Sequence, residues 1–479
     1  MSLSQPKRIC NKNKLNKKQK LFIILSSFIA IFGSIYSLYF LNHTKNLNVV
    51  FINLDSLRPD HLGCYGYKRD TSPNIDKLAK EGAIFTQAIS QSSYTPTAIY
   101  SILTSVYPYL HGVYDFGITM NNGLQTLPGV LKSRGYYLGL ISGRGRLAEF
   151  NLLELTEEFN TAYPSNSSYI SADEVTQKAI KWIKLNKEKK FFLWLYYLEP
   201  HVPYRPPAPY NKLYVDDKFM ENNKKSIPIS DDSKQLYDSY GVIPRIAAIK
   251  DIVDVNYYIS QYDGSIKFAD EQIGEVLVEL KKLNLYDRTL IIITSDHGEF
   301  LGEHNFYFVH SAHLYDTVIK VPLIFECNNI LPKGKTVGQQ VGHIDIVPTI
   351  LDLLGVKARI KTSGISLCPM LLKGKVYPSR IIFSEFVNKD KILFVSLRTD
   401  EWKLIYNSSN QEYELFNLKK DPSELINLIG IEEEEKVPRL LKRKLENYIK
   451  HRILFRPENQ KQILNEKTKN KLKSLGYSQ

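Results

Sequence analysis

The chain is poor in cysteine, with four residues in 479, at positions 10, 64, 327 and 368. None forms a Cys-x-x-Cys pair, so a thiolate zinc site is not supported, and four in a chain this long do not make a disulfide framework. Acid is absent from the first 54 residues, which carry eight of the thirteen excess positive charges. The basic balance is therefore mostly a flank. It does not describe a basic face on a folded domain, and nucleic acid is not an expected partner. No internal repeat is visible, which excludes a solenoid or propeller.

Charge of either sign is also missing from Leu21 to Leu41. That run matches the roughly 20 residues that span a bilayer. It is longer than a signal-peptide core, and Asn42-His43-Thr44 is a poor small-residue cleavage site. The expectation is an uncleaved signal anchor. Residues 1–20 form its basic cytoplasmic tail, and everything after the anchor lies outside the cytoplasm. Hydrophobic residues make up 43% of the chain, so the bulk is globular.

What is present centres on Leu290 to Gly298, LIIITSDHG. A short apolar run ending in a polar turn reads as a buried strand of a parallel sheet. Ligands collect at the carboxyl ends of such strands. There Asp296 and His297 make half of a metal site. Asn48 to Leu54, NVVFINL, repeats the pattern and delivers Asp55. Two such strands can bring both acids into one cleft.

The stretch NLDSLRPDHLGCYGY from Asn53, with Thr71-Ser72-Pro73-Asn74 and Glu81-Gly82-Ala83 after it, resembles the amino-terminal signature of the sulfatases. These belong to the alkaline-phosphatase-like superfamily. Thr294 to Glu299, Gly302-Glu303-His304 and Val321-Pro322-Leu323-Ile324 are similar to the second signature. The resemblance covers about residues 47–430. It implies an α/β fold, a mostly parallel sheet flanked by helices with a smaller carboxyl-terminal antiparallel α+β subdomain. The expected domains are a catalytic domain at 47–372, the subdomain at 373–430 and a basic helical tail at 431–479.

Sulfatases carry a Cys or Ser that becomes formylglycine. The matching region, Ser92 to Pro108, has no Cys and no Arg at the motif spacing. Aligning on the proline puts Tyr94 at the nucleophile. Aligning on Ile102-Leu103-Thr104-Ser105 puts Thr95 there, and Thr95 is preferred because that match is ungapped over more residues. Threonine oxidation would give a ketone, so no formylglycine is expected. Thr95-Pro96 also has the form of an N-cap followed by proline at the first helical position.

By the same resemblance Arg144 and Arg146 fall on substrate-binding positions. His201, in Glu199-Pro200-His201, and His310 are candidate proton donors, with His304 and His313 as competitors, and His343 is structural. The metal set is Asp55, Thr95, Asp296 and His297. It suits one divalent ion, calcium, manganese, magnesium or zinc. The expected activity is metal-dependent hydrolysis of a sulfate or phosphate ester, the substrate being an anionic glycan or lipid headgroup. Phosphoryl-group transfer, or a catalytically dead binding protein, is the alternative. Asp263 and Asp270, on a helix-like stretch from Tyr257 to Leu283, read as solvated or capping, and Arg398 and Lys403 as surface or cleft-lining charges.

Overall fold

The computed structural model describes residues 46–116, 118–143, 170–215, 225–230, 240–311, 313–388, 391–431 and 436–454. The expected anchor at 21–41 lies outside them, as do Arg144 and Arg146. Among the described residues no helix is long and apolar enough to cross a membrane.

The main sheet is built on three continuous apolar strands: β1 (Asn48–Leu54), β4 (Phe191–Tyr197) and β5 (Thr289–Thr294). Each is buried along its whole length, the pattern of a parallel sheet covered on both faces. β1 pairs in parallel with β4 on one side and β5 on the other. β3 (Tyr137–Ser142) extends the sheet beyond β4. Beyond β5 come β8 (Lys320–Glu326), β2 (Ala83–Ile89) and the short β9 (Lys335–Val337) and β10 (Val341–Gly342). Only β8, among these, runs against its neighbours.

Successive side chains alternate between two cores. Phe51, Trp194 and Ile292 face α2 (Thr95–Thr104) and α5 (Ile346–Leu353). Val50, Ile52 and Leu195 face α3 (Ala172–Asn186) and α4 (Val255–Lys282). α4 starts at Asp254, whose side chain accepts from the Asn256 N–H. It is embedded rather than superficial, so its acids are not solvated, while the capping alternative holds for Asp270. Asp270 is fully buried and caps a different helix, α1 (Pro73–Glu81), accepting from the N–H groups of Asn74 and Ile75 at 3.0 and 2.8 Å. Asp263 is buried too, 2.7 Å from each of His61, Tyr67 and Arg69. The sequence shows the acids but not that loop 56–72 folds over them.

A second sheet is wholly antiparallel: β11 (Ile382–Asn388), β12 (Lys391–Arg398), β13 (Trp402–Asn407) and β14 (Glu412–Asn417). Phe394, Ile405 and Phe416 join the main core from one face. Val395, Leu404 and Leu415 meet Leu441, Leu445 and Tyr448 of α6 (Lys436–Leu454) on the other. Arg398 and Lys403 are not surface charges. They are 3% and 0% exposed, and both bond Asp316, at 2.7 and 2.9 Å. Lys403 also reaches Glu424 at 2.8 Å. These ion pairs seal the sheet against the short helix that begins at Asp316.

Candidate active site

Asn53 on β1 lies level with Thr294 on β5. Parallel strands in that register release Asp55 and Asp296 at the same sheet end. Ser56 then turns the chain in the left-handed region, at φ 63°. Its N–H points to Asp296 Oδ1 at 3.4 Å, and its hydroxyl donates to Asp55 Oδ1 at 3.1 Å. Donor atoms of Asp55, Asp296 and His297 all lie within 4.8 Å of one another, fully buried.

His297 Nδ1 lies 2.9 Å from the Gly298 carbonyl, which only accepts, so Nδ1 carries a proton and Nε2 is the nitrogen turned towards the carboxylates. Nε2 lies 3.5 Å from Asp296 Oδ2 and 3.9 Å from Asp55 Oδ1. Gly298 is demanded by close approach: a Cβ there would meet the Thr317 carbonyl at 2.2 Å. Two buried carboxylates and an imidazole nitrogen converge. That donor set fits a divalent cation, which would offset the desolvation of two like charges.

Thr95 Oγ1 lies 3.0 Å from His297 Nε2. The expected cap is displaced by one residue. Tyr94 is the N-cap, its carbonyl accepting from the Ala98 N–H at 3.0 Å, and Thr95 is the first helical residue. The Thr95 hydroxyl faces His297 instead of capping. Tyr94, the other nucleophile register, directs its hydroxyl to Asp115 at 2.7 Å and packs its ring on Phe116 and Phe386.

His310 stacks on His297 with centroids 4.3 Å apart, and its Nδ1 lies 3.2 Å from Glu299 Oε1. His201 lies beside it, centroids 5.1 Å apart. Both candidate proton donors thus reach the site. Burial holds the Glu299 carboxyl well above the usual carboxylate range. His304 and His313 do not join them; they sandwich Tyr315, at 3.7 and 5.0 Å. His343 lies below the site, 3.4 Å from the Thr294 hydroxyl, and burial pushes it down to about 3.

Two participants escaped the sequence reading. The Tyr196 hydroxyl lies 2.8 Å from Asp55 Oδ2 and 3.2 Å from Asp296 Oδ2. Its run, FFLWLYY, reads as uniform core, and only the β1–β4 register reveals which tyrosine reaches the acids. Glu299 was visible inside the Thr294–Glu299 motif but carried no sign of its partner His310.

Residues 47–356 match the family model described as Sulfatase, and residues 302–451 match one described as N-sulphoglucosamine sulphohydrolase, C-terminal. The N-acetylglucosamine-6-O-sulfatase of Bacteroides thetaiotaomicron is 25% identical over 484 residues, covering 84% of this chain and 86% of that protein. The iduronate 2-sulfatase of Homo sapiens is 28% identical over 344 residues, 59% of this chain and 60% of its own. Among solved structures, one in complex with D-glucosamine-2-N,6-O-disulfate superposes with a TM-score of 0.69 at 22% identity, covering 85% of this chain and 98% of its own. The phosphonate monoester hydrolase of Agrobacterium radiobacter gives 0.68 at 20% identity, covering 88% and 99%. At those identities the structures share the fold.

Proposed function

The chain belongs to the sulfatase family and is an enzyme of its ester-hydrolase type, and from that premise we propose that it cleaves sulfate esters through a plain Thr95 nucleophile. The observation that carries this is the fully buried Thr95 hydroxyl, 3.0 Å from His297 Nε2 and beside the two carboxylates.

Asp55, Asp296 and His297, with the Thr95 oxygen, would hold one divalent ion. When bound, the ion supplies Lewis-acid polarisation of the ester and lowers the hydroxyl's pKa. The side chains do the rest. His297 orients the Thr95 oxygen, its Nε2 lying 3.0 Å away. The exposed dipole end of α2 favours negative charge at the same spot. The Thr95 hydroxyl gives its proton to solvent water, and its oxygen bonds to sulfur as the sulfur–oxygen bond to the substrate's alcohol breaks. The leaving oxygen takes a proton from His310, which Glu299 holds in place, or from His201. Water then attacks sulfur, freeing sulfate and restoring the hydroxyl. Arg144 and Arg146 are proposed to grip the anionic group. No formylglycine is used, because threonine cannot give its aldehyde.

The substrate proposed is an anionic sulfated glycan, met outside the cytoplasm by a catalytic domain tethered through residues 21–41. A plain hydroxyl is equally able to attack phosphorus, so phosphate-ester cleavage or phosphoryl transfer is the second reading. The test assays the full-length chain and Thr95→Ala on paired nitrophenyl sulfate, phosphate monoester and phosphodiester, with bound metal quantified. Activity lost in the variant with metal retained supports the reading, and the preferred ester decides between sulfur and phosphorus. Equal activity in the variant overturns it.

A further inference from the structure

Parallel strands enter a sheet at one end and release the site residues at the other. The turns leading into β3, β4 and β5 therefore lie together, at the end opposite Asp55 and Asp296. Hydrogen bonds tie these turns to one another. Arg288 donates to the Lys187 carbonyl at 3.0 Å, and Lys190 to the Arg134 carbonyl at 3.2 Å. Residues 132–136, 184–190 and 281–288 hold nine lysines and arginines and two acids, Glu188 and Asp287. Two further acids reach the same face: Glu279 lies 3.4 Å from Lys184, and Glu81 lies 3.9 Å from Lys281. With these counted, the surplus is five positive charges. The β8–β9 connection, which ends level with the start of β2, adds Lys333 and Lys335 and no acid.

The cations are spread rather than gathered on one point. They run from β3 to β9, across a sheet about 25 Å wide at ~4.8 Å per strand. Two of them rest on aromatic rings: Lys189 Nζ lies 3.7 Å from the Tyr137 centroid and Lys190 Nζ 4.4 Å from that of Tyr136. Apolar side chains stand out among them. Leu185 is 71% exposed at the end of α3, and Val278 is 60% exposed near the end of α4, beside the Lys184–Glu279 pair. A broad, cationic surface with protruding aliphatic groups fits the boundary of an anionic lipid layer, where the charges meet phosphates and the apolar groups dip below them. The central strand β1 opens at this face, and only residues 42–46 separate Leu47 from the apolar run that ends at Leu41. Such a link reaches at most about 20 Å.

We infer that the amino end of the main sheet is a membrane-facing surface that rests on anionic lipid headgroups. The acids and the β6–β7 hairpin (Phe300–Leu301 and Tyr307–Val309) lie at the other end of the same sheet, about 20 Å farther out along the seven residues of β1. The active site then faces away from the bilayer. It works on glycan in the surrounding space and not on the headgroups of its own membrane. The inference rests on the tether reading above, and its test is chosen to fail separately.

The full-length chain is reconstituted in nanodiscs of phosphatidylcholine, alone or with phosphatidylglycerol, and lysine acetylation is read by mass spectrometry. In the anionic discs Lys184, Lys187, Lys189 and Lys282 are expected to label about fivefold more slowly or less, while the exposed Lys68, on the loop at the site's end, labels equally in both. The double variant Lys187→Glu/Lys282→Glu loses the difference at Lys184 and Lys189, with its melting temperature unchanged, and Leu185→Ser reduces it. Thr95→Ala labels as the wild type does, so a failed catalytic reading leaves the face standing. The face is overturned by equal labelling in the two discs, by a difference that persists in the double variant, or by protection from a soluble sulfated polysaccharide and none from the anionic discs. A chain that carbonate strips from vesicles has no tether. The face then stands if salt-sensitive sedimentation with phosphatidylglycerol vesicles remains in the wild type and is lost in the double variant, and falls otherwise.

Discussion

Two of the buried charge clusters among the described residues are built from different groups. At the end of the second sheet, Asp316 and Glu424 are matched by Arg398 and Lys403, with contacts of 2.7 to 2.9 Å. The arginine and lysine hold the Asp316 carboxyl far below its ordinary range, despite its burial. At the end of the main sheet, Asp55 and Asp296 are equally buried and face a histidine, a tyrosine and a threonine. Balanced charge is finished structure. Two carboxylates converging with an imidazole are a donor set for a cation, because desolvated carboxylates repel unless something positive lies between them.

The sharpest break between the clusters is chemical. Thr95→Ala is expected to lower turnover by at least about a thousandfold while leaving the melting temperature nearly unchanged. A steady-state assay beside a thermal melt checks both halves. Lys403→Ala should do the reverse. It takes the ion-pair partner from the buried Glu424 carboxylate and leaves Asp316 to Arg398, so a loss of about 3–5 kcal/mol is expected in denaturant unfolding, with kcat per folded molecule retained.

Metal removal separates the clusters further. Chelation should destabilise the wild type by about 2.7 kcal/mol relative to a hundredfold excess of ion over its Kd. In Asp296→Asn that metal-dependent gain disappears, and the chelated variant melts above the chelated wild type because one repelling charge is gone. If the chelated variant melts lower, repulsion between the two carboxylates is not what the ion offsets. Tyr196→Phe removes the hydroxyl that lies against both carboxylates. It is expected to cost about 1–2 kcal/mol in the chelated protein and less in the loaded one.

The smallest effect tests a third buried acid that has neither arrangement. Glu326 on β8 is pushed up to about 8, chiefly by burial and then by the nearby Glu81 carboxylate. Folded, it binds a proton that the unfolded chain, with its ordinary value of 4.5, releases earlier. Its contribution is therefore complete below that value and is lost as pH rises through about 8. Glu326→Gln should flatten the fall in stability across that window, and an unchanged slope would remove Glu326 from the account.

Much of this was legible in the chain itself. The runs NVVFINL and LIIIT declare buried strands, and the acids at their ends declare a shared site, because a parallel sheet can only release both chains at the same edge. The ungapped match around Ile102-Leu103-Thr104 pointed to Thr95, whose hydroxyl lies 3.0 Å from His297 Nε2. Less readable were the helix boundary at Tyr94 and strand β14, whose Tyr413–Leu418 stretch stood out as a motif rather than as a strand. Local pattern marks where polar and apolar residues alternate, but not which neighbour turns a half-apolar run into a sheet edge.

The sequence by itself determined the mixed α/β architecture, the Asp55–Asp296–His297 donor set and the absence of a cysteine where a formylglycine would form. Its period and spacing are short-range properties, and these features need only short-range information. The tertiary structure alone decided what long-range contact decides. Tyr196, and no other tyrosine of its run, meets both acids. Asp270 caps a helix that begins 197 positions earlier, at Pro73. Arg398 and Lys403 are buried because Asp316 and Glu424 come to meet them. A charged residue carries no local mark of its partner, and burial becomes tolerable only once that partner has arrived.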